Sequence, residues 1–284
     1  VSRSMRKGKV LLVVHDVYQD DVHFPMGPAY LASFLRREGA DVRVYCQDVF
    51  HYPNSHLENY LQGAHFDIIG LGFLDARFKE TVEPLCKVIK DNKKDAWLVL
   101  GGHGPSPIPE YILKTTKADV VAIGEADETI VDVLDRKLSG AGLEGVEGIA
   151  YRLDEEVIVN KRRRPVRDLD SIPLPAWDLF PMEKYLSCYR FPGQDETERS
   201  FAMLTTRGCV GGCSFCYRME KGIRWRSVDS VLEEMRILQT RYGVAYFVFL
   251  DELTMFNKKR VFEFADAFEK SDLKIRFLCD ARAD

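Results

Sequence analysis

The sequence predicts an α/β protein in two parts, an open parallel sheet followed by the first units of a parallel β/α barrel. Three observations carry this expectation. Short β-branched runs alternate with amphipathic helical stretches from residue 9 onward. Most of these runs are largely apolar, as strands covered on both faces are. A loop with Cys209, Cys213 and Cys216 at C-x-x-x-C-x-x-C spacing directly follows one such run in the second part.

In the first part, Lys9-Val-Leu-Leu-Val-Val-His15 reads as a buried strand, and Pro28 to Arg37 as a helix stopped by Gly39. Further strands are predicted at 41–46, 66–73, 97–100 and 119–123, with helices near 55–63, 78–93, 108–116 and 126–138 between them. Five such strands give a doubly wound, flavodoxin-like parallel sheet. Ligands on such sheets sit outside the carboxyl ends of the strands. Those ends carry the unusual residues: a polar loop to Gly27, then Gly72-Phe-Leu74, Gly101-Gly102 with nearby prolines, and Gly124-Glu125 leading to Glu128. Paired glycines remove side-chain bulk where a wide, flat ligand could approach the backbone. No G-x-G-x-x-G follows the first strand, so a dinucleotide is not supported, and a receiver-type domain is the plain alternative.

Composition narrows the class. With 40 basic and 44 acidic residues the net charge is −4, which argues against a nucleic-acid partner. Lys161-Arg-Arg-Arg164 lacks aromatic interleaving and reads as a solvated strand end. No apolar run approaches the roughly 20 residues that cross a bilayer. Seven cysteines, an odd count, argue against a disulfide framework. The basic start, with Met5 as candidate initiator, runs into an apolar strand rather than a cleavage site, which fits a cytoplasmic protein.

Residues 5–140 form the expected first domain, and 141–199 a connector with a hairpin over 148–160 and a proline-stiffened stretch, Asp168 to Trp177. Tyr185 to Arg199 is polar and reads as irregular. The second domain, 200–284, opens with the strand Phe201 to Thr205. A helix capped by Ser227, a strand 245–250 ending at Asp251-Glu252, a helix 257–270 and a strand 274–279 ending near Arg282 follow. Cys209, Asp251-Glu252 and Arg282 thus fall at three successive strand ends, where β/α barrels collect their sites.

Three thiolates hold three corners of a four-iron four-sulfur (4Fe-4S) cluster and leave one iron open. A structural zinc site or an electron-transfer cluster closes with a fourth protein ligand. Cys188 or Cys279 would have to supply it for zinc, and no second C-x-x-C or H-x-x-x-H accompanies the loop.

The cysteine loop, with Phe215 before its third cysteine, resembles that of the radical S-adenosyl-L-methionine (SAM) superfamily. Residues 5–140 resemble the cobalamin-binding domain attached to such enzymes, on Pro25-Met-Gly27 leading into Tyr30-Leu-Ala32, on Gly101-Gly102, and on Gly124-Glu125 with Glu128-Thr-Ile130. The resemblance implies a 4Fe-4S cluster on Cys209, Cys213 and Cys216, and SAM contacts from Phe215, Asp251, Glu252 and Arg282. It implies cobalamin contacts from Gly27, Gly72, Leu74, Gly101, Gly102, Gly124, Glu125 and Glu128.

Three departures stand out. The D-x-H-x-x-G, S-x-L and G-G pattern of other cobalamin domains is broken, since Asp21-x-His23 is followed by Gly27 one residue late, and 26 residues separate Leu74 from Gly101. The Gly-Gly that commonly precedes the SAM-binding acid is absent before Asp251-Glu252. Only three β/α units are present where radical SAM barrels usually have six, so the sequence reads as the front portion of a longer protein. The implied activity is reductive cleavage of SAM and methylation of an unactivated carbon of a small molecule, with electrons from a flavodoxin or ferredoxin. A cyclase or rearrangement enzyme of the same family is the alternative within it. A cobalamin- or nucleotide-responsive sensor with a structural metal site is the alternative outside it.

Overall fold

Lys9–Val14 forms β1, and its alternating side chains enter two separate apolar layers. The chain continues through α1 (Met26–Arg37), β2 (Asp41–Cys46), a short α2 (Gln47–Phe50), α3 (Asn54–Gln62), β3 (Ile68–Gly72), α4 (Val82–Asn92), β4 (Trp97–Gly101), α5 (Pro109–Thr116), β5 (Val120–Ala122) and α6 (Asp127–Ser139). This is a computed structural model, and it describes residues 7–17, 22–74, 78–188 and 190–281.

Strands β1 to β5 pair in parallel in the order β2-β1-β3-β4-β5, the flavodoxin-like order expected. On one face Leu11, Ile69, Leu71, Leu98 and Leu100 pack with Leu57, Leu85, Ile89 and Ile112 of α3, α4 and α5. On the other, Val10, Leu12, Ile68 and Val99 pack with Leu35 of α1 and Val133 and Leu134 of α6. The two-residue period of a strand thus feeds two cores, which is why the central strands read as nearly continuously apolar, whereas edge strand β2 exposes Asp41 and Arg43.

The hairpin, β6 (Ile149–Leu153) and β7 (Glu156–Val159), does not stand apart as a connector. β6 pairs antiparallel with β5, Val120 opposite Tyr151, and extends the sheet to seven strands. Ile149 and Ala150 are fully buried by that pairing. The compact units accordingly divide at other points than the sequence suggests: 1–19, 25–165 and 175–181 form one, and 20–24, 166–174 and 182–284 the other. Arg163, expected in a solvated run, is mostly covered and pairs with Glu128 and Asp132 of α6. Its guanidinium anchors the strand leaving β7 to that helix.

The second unit contains α7 (Met182–Cys188), β8 (Arg199–Met203), β9 (Thr206–Arg207), β10 (Arg224–Trp225), α8 (Val228–Tyr242), β11 (Val244–Phe249), α9 (Lys258–Glu269) and β12 (Arg276–Leu278). β8, β11 and β12 form a parallel sheet in the order β12-β11-β8, the expected succession of β/α units. Part of the stretch expected to be irregular is helical, because Met182, Tyr185 and Leu186 give α7 a buried face. Tyr185 packs edge-on against Phe24, which also meets Phe201. Ser227 caps α8 by accepting from the Ser230 amide, as its position predicts. Among the described residues, no helix is long and apolar enough to cross a membrane.

Candidate functional site

At the carboxyl edge of the first unit, Gly72 ends β3 and Gly101 ends β4, and the two are register partners. A β-carbon on Gly72 would lie 3.5 Å from the Gly101 carbonyl oxygen, and one on Gly101 would lie 3.7 Å from the Ala122 β-carbon. Three neighbouring strand ends therefore present a ledge of backbone and one methyl group. Beyond the ledge the loops interlock. Phe73 N–H donates to the Gly101 carbonyl at 3.1 Å, and Gly104 N–H donates to the Phe73 carbonyl at 3.0 Å. Gly102 has φ +98°, and a β-carbon there would sit 2.9 Å from the Phe73 carbonyl oxygen. Glycine at 102 is thus required by its neighbour in the fold, whatever the loop binds.

Sequence reasoning missed Ser106. Its hydroxyl donates to the Gly102 carbonyl at 2.7 Å and accepts from the Gly124 amide at 3.2 Å, so one side chain ties the loops after β4 and β5 together. Leu74 is 73% exposed, an apolar side chain held out at the edge. Glu125 is half-buried beside Gly124. Glu128 is turned to Arg163, 3.3 Å away, and therefore has a structural partner. Gly27 lies in the first turn of α1 with open space around it. His23 falls in the second unit, its ring 5.8 Å from that of Phe191; Asp21 lies outside the described residues. A second histidine was overlooked. His51 Nδ1 lies 2.8 Å from buried Asp16 Oδ2, joining the loop after β1 to the turn after α2.

In the second unit the cysteine loop is anchored at its root and open at its tip. Gly208 has φ +83°, and a β-carbon on it would collide with the Gly222 carbonyl oxygen. Cys209 bridges to Lys221, and the Gly211 amide donates to Cys209 Sγ at 3.2 Å. Cys213, Phe215 and Cys216 are exposed, Phe215 to 91%. Among the described residues, no three His, Cys, Asp or Glu side chains are gathered to hold a metal ion. The loop instead offers three free thiols within eight residues, one already receiving an N–H···S bond of the kind that tunes iron–sulfur clusters. That donor set fits a cluster with one iron left for another ligand.

The two strand-end acids separate completely. Asp251 is buried and its acceptor positions are taken: Oδ1 accepts from the Thr205 amide at 2.7 Å and the Thr206 amide at 2.9 Å, and Oδ2 from the hydroxyls of Thr205 and Thr254. The contact with the SAM ammonium that the resemblance implies for Asp251 would have to compete with these four bonds. Burial pushes its carboxyl above the usual carboxylate range, and these four donors oppose the shift. Diverting two amides to Asp251 also explains why β8 ends at Met203 instead of Thr205. Glu252, the next residue, is exposed. Arg282 lies outside the described residues.

A buried ion pair braces the same strand end. Arg226 pairs with Glu234 of α8, and its guanidinium donates to the Leu204 carbonyl at 2.9 Å, while its amide donates to the Thr205 carbonyl at 3.0 Å. Burial pushes Glu234 upward in pKa, and Arg226 opposes it. Arg226 precedes the Ser227 cap and reaches along the first turns of α8 to Ser230 and Glu234, which share one face of that helix.

Two family descriptions match the chain: a B12 binding domain over residues 12–134 and the radical SAM superfamily over residues 203–283. The chain is a cobalamin-binding radical SAM protein. An uncharacterized methyltransferase of Pyrococcus horikoshii is 28% identical over 92% of this chain and 55% of its own length. The anaerobic magnesium-protoporphyrin IX monomethyl ester cyclase of Rubrivivax gelatinosus is 26% identical over 88% of this chain and 45% of its own. The solved structure of the cobalamin-dependent SAM radical enzyme OxsB, with aqua-cobalamin and SAM bound, superposes with a TM-score of 0.80 at 21% identity, over 95% of this chain and 38% of that one. The fold of both parts is therefore that of the cobalamin radical SAM proteins. The chain spans about half the length of the curated relatives it matches. The radical SAM domain brings a 4Fe-4S cluster and SAM, and the B12 binding domain brings cobalamin.

Proposed function

We propose that this chain is the cofactor-binding portion of a cobalamin-dependent radical SAM methyltransferase acting on an unactivated carbon of a small molecule. The observation that carries the reading is the pairing, in one chain, of a glycine ledge at the carboxyl edge of a flavodoxin-like sheet with a three-thiol loop at the end of a parallel β/α strand. When bound, the cluster and SAM supply a 5′-deoxyadenosyl radical, and cobalamin supplies a methyl group.

The residues have distinct tasks. Cys209, Cys213 and Cys216 would hold three corners of the cluster, with Gly208 and Gly222 fixing the root of their loop. Glu252, exposed one residue beyond the buried Asp251, would accept hydrogen bonds from the SAM ammonium. Exposed Phe215 would cover apolar surface of the bound SAM. Gly72 and Gly101 would admit the flat corrin ring, with Leu74 and Glu125 at its margin and Gly124 held in place through Ser106. Electrons would come from a flavodoxin or ferredoxin. All seven cysteines are free thiols, which suits a reducing cytoplasm.

Both a methyltransferase and a cyclase stand among the relatives, and products separate them. The full-length protein, reconstituted anaerobically and given SAM and a reductant, is expected to form both 5′-deoxyadenosine and S-adenosylhomocysteine. 5′-Deoxyadenosine alone would favour cyclisation or rearrangement. Cobalamin binding without either product would favour a sensor.

A further inference from the structure

Asp251 is one covalent step from Glu252 and makes three hydrogen bonds to the strand end that launches the cysteine loop. Its acceptors reach the amides of both Thr205 and Thr206, the Thr205 hydroxyl and the Thr254 hydroxyl. Thr206 lies three residues before Cys209 and pairs with Trp225 in the β9–β10 ribbon. On the far side, Arg226 fixes the carbonyls of Leu204 and Thr205. Every backbone polar group from the Leu204 carbonyl to the Thr206 amide is thus committed to Asp251 or Arg226.

We propose that Asp251 is a positioning residue that couples SAM binding at Glu252 to the geometry of the cluster loop. The inference rests on the reading of Glu252 and the three cysteines given above. SAM held between the open iron and a carboxylate spans two anchor points whose separation must be fixed. Asp251 supplies that fixed separation, since its backbone carries Glu252 and its side chain carries the strand end leading to Cys209. Misplacement of a bound group by about 1 Å costs up to a hundredfold in catalysis, and a site is only as well defined as the shell that supports it. An apolar residue here would strand the Thr205 and Thr206 amides, so a test of positioning needs a folding readout beside it.

The test uses the full-length protein, reconstituted anaerobically with iron and sulfide, reduced with dithionite, and titrated with SAM while the electron paramagnetic resonance spectrum of the cluster is followed. Asp251→Asn removes the charge, and Thr205→Val removes one donor while keeping the side-chain shape. Both are expected to retain wild-type iron and sulfide content yet to need about tenfold more SAM for half of the spectral change, the size of one lost charge-assisted hydrogen bond. Thr205→Ser, which keeps the hydroxyl, should restore the wild-type titration. An unchanged titration in both Asp251→Asn and Thr205→Val would overturn the proposal. So would loss of cluster content in step with thermal stability in Thr205→Val, since that marks a folding role. A wild-type cluster indifferent to SAM would instead remove the underlying reading of Glu252 and the cysteines, and this proposal with it.

Discussion

Gly72 and Gly101 stand opposite each other at the ends of β3 and β4, where a β-carbon on the first would touch the carbonyl oxygen of the second at 3.5 Å. Neither has positive φ, so the backbone itself does not demand glycine at these two places. Under the proposed function, what favours glycine here is the corrin that would lie on the ledge. A β-carbon at position 101 would meet only the Ala122 methyl from within the protein, at 3.7 Å. Gly101→Ala should therefore leave far-ultraviolet circular dichroism and the unfolding midpoint nearly unchanged. Cobalamin affinity, read from the visible absorption of the bound corrin, should fall by tenfold or more, about 1.4 kcal/mol.

Gly208 is the opposite case, with φ +83° and the Gly222 carbonyl against the place where a β-carbon would go. Gly208→Ala is expected to cost about 1–3 kcal/mol of local strain and to shift the root of the cysteine loop. Iron bound per chain after reconstitution should drop well below that of the wild type. Gly212→Ala, in open space on the same loop, should not lower it.

Arg226 and Glu234 form a buried pair in which removing one partner strands the other. Arg226→Met should lower the urea midpoint of the second unit by the equivalent of about 3–5 kcal/mol. Arg226→Met combined with Glu234→Leu should recover most of that loss, because no uncompensated charge remains. Recovery that is absent would mean that the Leu204 carbonyl contact, not the charge pairing, is what matters.

Asp170 accepts from the Ser227 amide through both carboxylate oxygens, at 2.9 and 3.0 Å. Burial pushes its pKa up, but the bonds from Ser227 and Ser230 and the nearby Arg226 outweigh this and hold it below the usual value. A depressed carboxylate stabilises the fold above its unfolded pKa of about 3.9, and that contribution is lost as pH falls through the lower, folded value. Thermal melts from pH 6 down to pH 3 should show wild type losing its advantage over Asp170→Asn at the acid end. A constant difference across that range would assign the stabilisation to something other than the charge.

The parallel sheet was legible because its strands are buried on both faces, and burial on both faces is a local property of the letters. Ser227 as a helix cap was legible because capping is likewise set by the local sequence. The hairpin over 149–159 was legible as a hairpin but not as sheet edge, since the pairing of Tyr151 with Val120 is a long-range fact. Asp251 shows the limit most clearly. A carboxylate at a strand end reads equally as a ligand or a clamp, and the clamping partner, Thr205, lies 46 residues away. Arg163 was hidden in a run of like charges, and nothing local marks which member turns inward to Asp132.

The central claim is that one chain holds both a cluster on three thiols and a corrin on a glycine ledge. Iron and cobalt analysis of the full-length protein, purified anaerobically with cobalamin supplied, tests it most directly. The account predicts about four iron atoms and about one cobalt atom per chain, as one 4Fe-4S cluster and one corrin require, with iron lost and cobalt kept in Cys213→Ala. One zinc per chain in place of iron, or iron content indifferent to Cys213→Ala, would contradict it.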